Sequence, residues 1–306
     1  MKGRKIVVVG GVAAGTSAAA KARRCDEDAE ILIFERGKHI SYATCGLPYY
    51  VSGVIAHKDR LIFNTPETFK TRHNIDVSLQ HEVSEILPER KEVKVVELDT
   101  GREQRYPYDT LILATGARPF IPPIEGVQLR HIHTLRTVED ARQIRDFIDT
   151  GRPRHAVVVG GGLIGLEMVE ALLAQKLHVT LVEKLDQLLP SFDWEIAHTA
   201  ETHLKEKGVE ILCSSAVKTF EGDKCGVKKV ITESGEEIEA ELIVLSIGVR
   251  PNVNLAEAAG IRLGPTGTIS VNQVEWARRM RFGDVGRKSL QIWGPRNTRK
   301  YAKKWP

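Results

Sequence analysis

A β-branched strand, a glycine-rich turn and a helix follow one another twice in this chain, with the two turns 150 residues apart. The first turn runs from Gly10 to Gly15 and the second from Gly160 to Gly165. Each copy continues into another apolar strand, and these second strands are followed by Glu35 and Glu183 respectively. Strands that alternate with helices in this way predict βαβ units on a parallel sheet, so the fold class is α/β.

The second turn is a complete G-x-G-x-x-G motif between a strand and a helix. Gly160 allows the tight turn, Gly162 lets a pyrophosphate approach the backbone, and Gly165 lets the helix pack on the strand. Glu183 lies 23 residues after Gly160, where its carboxylate can accept hydrogen bonds from a ribose. A carboxylate also repels a 2′-phosphate, so we expect NADH to be preferred over NADPH, although Lys184 weakens that inference. The alternative is a glycine-rich turn without a ligand.

The first turn departs from this motif at one position, because Val12 replaces the middle glycine. Gly10 and Gly15 remain, and the acidic residue Glu35 follows 25 residues after Gly10. Beside the intact second copy, we interpret this segment as a second dinucleotide-binding turn.

A further internal repeat supports a duplication. Residues 111–119 and 243–251 are both apolar strands that end in Gly-x-Arg-Pro. We therefore predict two Rossmann-like dinucleotide-binding domains, the second inserted into the first, with a proline-rich linker over 118–126. The predicted ranges are 1–118 and 243–272 for the first domain, 119–242 for the second, and 273–306 for an atypical basic tail.

Four cysteines occur without C-x-x-C spacing, and a chain of 306 residues does not need disulfides, which favours a reducing, cytoplasmic setting. Cys45 precedes Pro48, and a helix that starts near Cys45 would lower the thiol pKa through the helix dipole. A structural cysteine is the alternative, and Cys25, Cys213 and Cys225 are interpreted as structural. No apolar run reaches the roughly 18 residues that a membrane span needs.

The charge is unevenly distributed. The chain carries a formal net charge of +4, but the tail from 273 to 306 contains ten Lys/Arg and only two acidic residues. The rest of the chain is mildly acidic, so nucleic acid and anionic membranes are not expected as partners.

Residues 1–272 resemble the pyridine nucleotide-disulfide oxidoreductases, and more closely the single-cysteine branch that contains coenzyme A-disulfide reductase, NADH-dependent persulfide reductase and NADH oxidase. The resembling stretches are 8–15, 45–49, 65–67, 114–116 and 247–252. Family members with two redox cysteines carry the second cysteine five residues after the first, where this chain has Tyr50. The resemblance implies a glutathione-reductase-like fold, FAD in the first domain, NADH (or NADPH) in the second, and a homodimer.

The resemblance also assigns site residues. Cys45 would be the catalytic thiol, which attacks a sulfur of the substrate and forms a mixed disulfide. The residues expected to bind the cofactors are Gly10, Val12, Ala14, Gly15, Glu35, Arg36, Val83, Ala114, Thr115, Gly116, Arg118, Gly160, Gly162, Leu163, Ile164, Gly165, Glu183 and Gly248. The residues expected to hold coenzyme A, or else a solvated helix face, are Ser17, Lys21, Arg24, Ser41 and Thr44. No metal site is predicted.

The implied substrate is a small thiol compound such as coenzyme A disulfide or a persulfide. Thr44 stands where the coenzyme A-disulfide reductases often have asparagine, which leaves the substrate choice open. One alternative is an NADH oxidase or peroxidase that cycles Cys45 through a sulfenic acid. Another is a truncated, inactive nucleotide-binding fragment.

The tail motivates the last alternative. After Asn272 the family would continue into a strand that ends in Gly-Asp, and then into a dimerisation domain. Residues 273–306 show no helical or strand period, and arginines precede the one Gly-Asp pair within this range, Gly283-Asp284. A frameshift explains this tail better than a divergent terminus does.

Overall fold

The computed structural model describes residues 3–271 and 290–292. Its described helices and strands confirm an α/β fold. The helices are α1 Ala14–Cys25, α2 Leu47–Val51, α3 Pro66–His73, α4 Val138–Gly151, α5 Leu163–Ala174, α6 Trp194–Glu206 and α7 Asn254–Ala258. The strands are β1 Lys5–Val9, β2 Glu30–Glu35, β3 Asp76–Leu79, β4 His81–Leu87, β5 Glu92–Glu97, β6 Glu103–Pro107, β7 Thr110–Leu113, β8 Ala117–Pro119, β9 Ile132–Thr134, β10 His155–Val159, β11 His178–Val182, β12 Glu210–Leu212, β13 Val217–Asp223, β14 Gly226–Thr232, β15 Glu237–Glu239, β16 Leu242–Leu245, β17 Val249–Pro251 and β18 Leu290–Ile292.

The chain divides into two compact units. Unit 1 comprises Met1–Tyr42, Ile62–Ala117 and Pro251–Pro306, and unit 2 comprises Ala43–Leu61 and Arg118–Arg250. The chain crosses from one unit to the other four times, on either side of 43–61 and within β8 and β17, and these two strands pair as a two-stranded sheet. The predicted linker over 118–126 thus begins inside a strand. The assignment of one cofactor to each predicted domain stays a prediction.

Unit 1 is built on a parallel sheet in the order β18-β7-β1-β2-β3. Strand β1 is apolar at successive positions because both faces of the sheet are covered. Ile6 and Val8 belong to the same core cluster as residues of α1 and α3. Val7 and Val9 belong to the cluster that includes the antiparallel sheet β4-β5-β6 and α7.

Unit 2 repeats this plan with a parallel sheet in the order β12-β11-β10-β16-β9. A second antiparallel sheet, β13-β14-β15, shares a core cluster with β10 and β16 through residues such as Val157, Phe220 and Ile243. The predicted duplication is confirmed, because each unit carries a strand, a glycine turn, a helix and a parallel neighbouring strand in the same sequence.

Part of the tail forms a strand although its sequence shows no strand period. Residues 290–292 form β18, which pairs parallel with β7 and sets Leu290 opposite Leu111 and Ile292 opposite Leu113. A segment of three residues is too short to show a period, but it can use the backbone groups that β7 would otherwise leave free at the sheet edge. The Gly283-Asp284 pair and the reading-frame hypothesis concern residues outside those that the structure describes. Within the described residues, no helix is long and apolar enough to span a membrane.

A buried histidine in unit 2 makes the stability of the fold sensitive to pH. Burial, together with a smaller effect of the neighbouring His131, lowers the pKa of His133, on β9, to about 4. Within the described part of the chain, Nε2 of His133 has no hydrogen-bond partner. The folded protein therefore binds this proton less well than the unfolded chain, whose histidine has the ordinary pKa of 6.5.

We predict that the free energy of unfolding falls as the pH is lowered from 6.5 to 4, by up to about 3 kcal/mol from this group. The variant His133→Phe should flatten that slope, whereas His203→Phe, at an exposed position, should not. Urea denaturation at several pH values measures both. A wild-type slope retained by His133→Phe would contradict the prediction.

Candidate functional site

The first glycine turn is held by backbone and carboxylate hydrogen bonds. The amide of Gly10 donates to the carbonyl of Phe34 at 2.8 Å. The side chain of Glu35 accepts from the amide of Gly11 at 2.6 Å through Oε2, and from the amide of Gly37 at 2.7 Å through Oε1. Glu35 is buried. Its carboxylate therefore ties the glycine turn to the loop that follows β2.

The second glycine turn has the same network, bond for bond. The amide of Gly160 donates to the carbonyl of Val182 at 2.8 Å. The buried carboxylate of Glu183 accepts from the amide of Gly161 at 2.6 Å and from the amide of Leu185 at 2.8 Å. Sequence reasoning assigned the two acids to ribose contacts and missed this role, for which residue type and spacing carry no separate signal.

The outer glycines of both turns are required by close backbone approaches. Gly10 and Gly160 have φ values of +99° and +107°, which favour glycine. A Cβ at Gly15 would lie 1.8 Å from the carbonyl oxygen of Gly10, and one at Gly165 would lie 1.9 Å from that of Gly160. The distance at Gly165 is in keeping with the close helix packing predicted for the second turn, and Gly15 has the same geometry.

The helices that follow the two turns begin without capping side chains. The N-cap residues of α1 and α5, Ala13 and Gly162, make no side-chain cap hydrogen bond, and neither first turn contains an acidic residue. In contrast, α3 and α4 begin with complete capping boxes at Thr65 and Thr137. Free backbone N–H groups and the positive end of the helix dipole make the starts of α1 and α5 suited to an anion such as a pyrophosphate.

The middle position of the second turn opens into a cleft. A Cβ placed on Gly162 would meet no atom within 4 Å, and the same holds for Gly248. The cleft has a volume of about 780 Å³ and is lined within unit 2 by both glycines, by Glu183 and by an apolar set. That set includes Leu163, Ile164, Leu185, Leu189 and Phe192. A cleft of this size, beside an uncapped helix and two exposed backbone segments, fits a dinucleotide.

In unit 1, the residues after β7 form a second backbone surface near the first turn. The amide of Ala114 donates to the carbonyl of Val9 at 2.8 Å. Thr115 Oγ1 donates to the carbonyl of Asn252 at 2.7 Å, and Asn252 Nδ2 donates to the carbonyl of Thr115 at 2.8 Å. The amide of Asn252 also donates to the carbonyl of Gly116 at 3.0 Å. Asn252 therefore fixes the 115–116 backbone, a role that sequence reasoning did not assign.

The remaining candidates for cofactor contacts occupy varied settings. Arg36 is exposed and lies 3.7 Å from Glu82. Val83 is buried in β4 within the core of unit 1. Ala14 is the first residue of α1, and Arg118 is an exposed residue of β8 in unit 2.

The residues predicted to hold coenzyme A are partly grouped. Ser17, Lys21 and Arg24 are all exposed on α1, and their spacing of four and three residues places them on one helix face. Ser41 is half-buried, and its hydroxyl accepts from Asn64 Nδ2 at 3.0 Å.

Cys45 is an exposed free cysteine. It lies in the 3-10 turn Thr44–Gly46, which leads directly into α2, where Pro48 occupies the first turn. The predicted helix start near Cys45 is therefore confirmed. The segment belongs to unit 2 through residues Ala43–Leu61.

The other cysteines differ among themselves. Cys25 and Cys225 are exposed, and Cys213 is half-buried. Burial raises the pKa of the Cys213 thiol, and Glu201 raises it further. None of these three cysteines is buried in a core, so the predicted structural role does not consist in core packing. In the described part of the chain, no group of three or more His, Cys, Asp or Glu residues is placed to hold a metal ion.

The pyridine nucleotide-disulphide oxidoreductase model matches residues 4–275. The chain belongs to this family. The predicted cofactors, FAD and NAD(P)H, are thereby confirmed as the pair that the family uses. The chain is also similar to several curated relatives and solved structures.

The chain is 38% identical over 271 residues to the NAD(P)H coenzyme A polysulfide/persulfide reductase of Pyrococcus horikoshii. It is 36% identical to an NADH oxidase of Methanocaldococcus jannaschii and 32% identical to the coenzyme A disulfide reductase of Staphylococcus haemolyticus. In each case the match covers 88% of this chain and 59% of the relative. The chain thus spans about three fifths of the length of these relatives.

Among solved structures, reduced Bacillus anthracis CoADR-RHD superposes with a TM-score of 0.87 at 42% identity, covering 90% of this chain and 49% of that chain. The water-forming NADH oxidase of Lactobacillus brevis, bound to NADH, superposes with a TM-score of 0.83 at 27% identity, covering 90% and 60%. An engineered form of that oxidase, bound to NADPH, carries five substitutions, among them Asp to Ala and two changes to Arg. Its TM-score is 0.83 at 26% identity, covering 89% and 60%.

Two glycines of the second turn should respond oppositely to alanine. Gly165→Ala places a methyl group against the Gly160 carbonyl and should lower the free energy of unfolding by about 1–3 kcal/mol. Gly162→Ala faces open space at a φ of −79° and should leave stability unchanged or slightly raised. Thermal denaturation of both variants tests this. Equal destabilisation by the two substitutions would contradict the geometry.

Proposed function

We propose that this protein is an FAD-dependent NAD(P)H oxidoreductase that reduces a disulfide, persulfide or polysulfide of coenzyme A or a similar small thiol. The observation that carries the proposal is the pair of glycine turns with identical carboxylate–amide networks and uncapped helices, in a chain that also presents an exposed cysteine. Relatives named as coenzyme A persulfide and disulfide reductases support the substrate class. We further propose a cytoplasmic setting, with no nucleic-acid or membrane partner.

The first turn, with α1, Glu35 and the 114–116 backbone, would hold FAD, and the second turn with Glu183 would hold NADH. Both assignments fit the free helix starts, because a pyrophosphate supplies the acceptors that capping side chains supply elsewhere. FAD, when bound, supplies hydride acceptance from NAD(P)H and two-electron reduction of sulfur. The apolar lining of the cleft excludes water around the nicotinamide nucleotide.

Cys45 would supply the nucleophile. Its thiolate attacks a sulfur of the substrate, which expels the other sulfur as a thiolate and leaves a mixed disulfide on Cys45. The basic face of α1, with Lys21 and Arg24, offers charge complementarity to the phosphates of coenzyme A. The hydroxyls of Ser17, Ser41 and Thr44 would contribute hydrogen bonds.

An NADH oxidase is the second candidate, favoured by the relatives of that name. In that reaction Cys45 would pass through a sulfenic acid. The flavin absorbance of the purified protein, followed by assays with coenzyme A disulfide, polysulfide and oxygen, separates the two activities. Faster NADH consumption with oxygen than with either sulfur acceptor would overturn the reductase proposal.

We predict that Cys45→Ser abolishes NADH-dependent reduction of coenzyme A disulfide while the NADH dissociation constant changes by less than about twofold. The matched control is Cys225→Ser, which replaces another exposed thiol of unit 2 and should retain activity. Stopped-flow turnover and equilibrium fluorescence measure the two quantities. Full activity of Cys45→Ser would exclude Cys45 as the nucleophile.

Glu183 should set the preference for NADH. Each carboxylate oxygen accepts one backbone amide and keeps a lone pair for a ribose hydroxyl. In this chain Gly165, Glu183, Lys184, Leu185 and Pro190 have the same spacing as the five substitutions in the NADPH-bound engineered oxidase. Because Lys184 already supplies a cation beside Glu183, removing the acid alone should admit a 2′-phosphate.

We predict that Glu183→Ala weakens NADH binding roughly 10- to 100-fold and inverts the preference towards NADPH. Glu35→Ala loses the equivalent two amide bonds in unit 1, so it controls for destabilisation and should leave NADH selectivity unchanged. Fluorescence titration of both nucleotides measures the ratio. Tighter NADPH binding by the wild type, unaltered in Glu183→Ala, would refute the assignment.

A further inference from the structure

The 3-10 turn that carries Cys45 leads into α2, and side chains from elsewhere in unit 2 bind the carbonyls at the C-terminal end of α2. Arg145 of α4 donates through Nη1 to the carbonyls of Tyr50 and Val51, each at 3.4 Å. Gln175, the residue after α5, donates through Nε2 to the carbonyl of Ser52 at 2.5 Å. Three consecutive carbonyls at the end of α2 are thus satisfied by two side chains more than 90 residues away.

The backbone of Gly53, next to these carbonyls, lies close to both donor side chains. Gly53 has a φ of +86°, and a Cβ on it would lie 2.8 Å from Arg145 Nη1 and 3.1 Å from Gln175 Nε2. The guanidinium of Arg145 is itself oriented by Asp149, whose two carboxylate oxygens accept from Nε at 3.1 and 2.9 Å. The donors therefore lie against a turn whose positive φ favours glycine.

These contacts matter because α2 is too short to be stable by itself. It has five residues, and helices below roughly 12–15 residues are marginal in water without tertiary support. Leu47, Pro48, Tyr50 and Val51 are buried, and α2 packs against α4 and α5. Packing and the two side-chain donors together determine where the 3-10 turn with Cys45 lies.

The same helix α5 reaches the proposed nucleotide site at its other end. It starts at Leu163, directly after Gly162, and Gln175 follows its last residue. Twelve residues of α-helix span about 18 Å. One rigid element therefore joins the start of the nucleotide cleft to the bond that holds the Cys45 segment.

We propose that Arg145 and Gln175 are positioning residues that hold residues 43–61, and with them Cys45, in a fixed orientation on the unit that binds the nicotinamide nucleotide. The proposal rests on the proposed function for the role of Cys45. The clamp formed by Arg145, Gln175 and Gly53 deepens that function, since a nucleophile must be held in one orientation to meet its substrate.

Hydrogen exchange tests the clamp in the 306-residue chain. The amides of Ser52, Gly53 and Ile55 donate to the carbonyls of Pro48, Tyr50 and Tyr49. In Arg145→Ala, Gln175→Met and the double variant, these amides should exchange roughly tenfold faster or more, because the end of α2 opens locally. Arg145→Lys keeps one donor and should recover a large part of the protection.

A nitroxide label tests the orientation of Cys45 itself. With Cys25, Cys213 and Cys225 replaced by serine, a label on Cys45 should become at least about twofold more mobile in the clamp variants. Arg145→Lys should again restore slow motion. A label on Cys225, in a background that retains only that cysteine, should be unaffected, because Cys225 lies in the β13–β14 turn.

Arg142→Ala is the matched control for Arg145→Ala. Both arginines form i,i+4 ion pairs on α4, with Asp146 and Asp149 respectively, but Arg145 also reaches the end of α2. The proposal would be overturned if Arg145→Ala, Gln175→Met and the double variant all showed the same amide exchange rates and label mobility as Arg142→Ala. Should the double variant fail to fold, the conservative Gln175→Met decides. Neither measurement needs turnover. If Cys45→Ser proved active, the proposed function would be refuted, but the result for the clamp would stand.

Discussion

The bond between a buried carboxylate and the amide of the second glycine residue is the interaction on which both nucleotide turns depend. Glu35 and Glu183 each bridge a glycine turn and the loop after the neighbouring strand. A buried carboxylate needs such donors, because an unpaired charge away from water is costly. The bridge holds the turn beside the loop that follows the neighbouring strand, and the uncapped helix α1 or α5 begins directly after the turn.

The two turns differ where their ligands would differ. Gly162 leaves open space at the entrance to the unit 2 cleft, whereas Val12 occupies the corresponding position in unit 1. The rest of the framework is shared, with matching carboxylate–amide hydrogen bonds of 2.6–2.8 Å in the two units.

The Cys45 segment shows how a reactive residue can depend on elements far away in the chain. Its helix is too short to define an orientation, and side chains of α4 and α5 bind its last carbonyls. In our proposal, the orientation of Cys45 is therefore coupled to α5, which starts at the unit 2 cleft. In the proposed reaction, the nicotinamide nucleotide and the sulfur nucleophile would thus both be held by unit 2.

The sequence by itself determined the α/β class, the two strand–turn–helix units, their glycines and acids, and the helix start near Cys45. These features depend on backbone sterics and on hydrophobic period, which act within a few residues. Only the tertiary structure decided that Glu35 and Glu183 bind backbone amides, that Asn252 fixes the Thr115 backbone, that residues 290–292 join the sheet as β18, and that Arg145 and Gln175 hold the end of α2. Each of these contacts joins residues brought together by the fold, and residue type and spacing do not show which donor will face which acceptor across that distance.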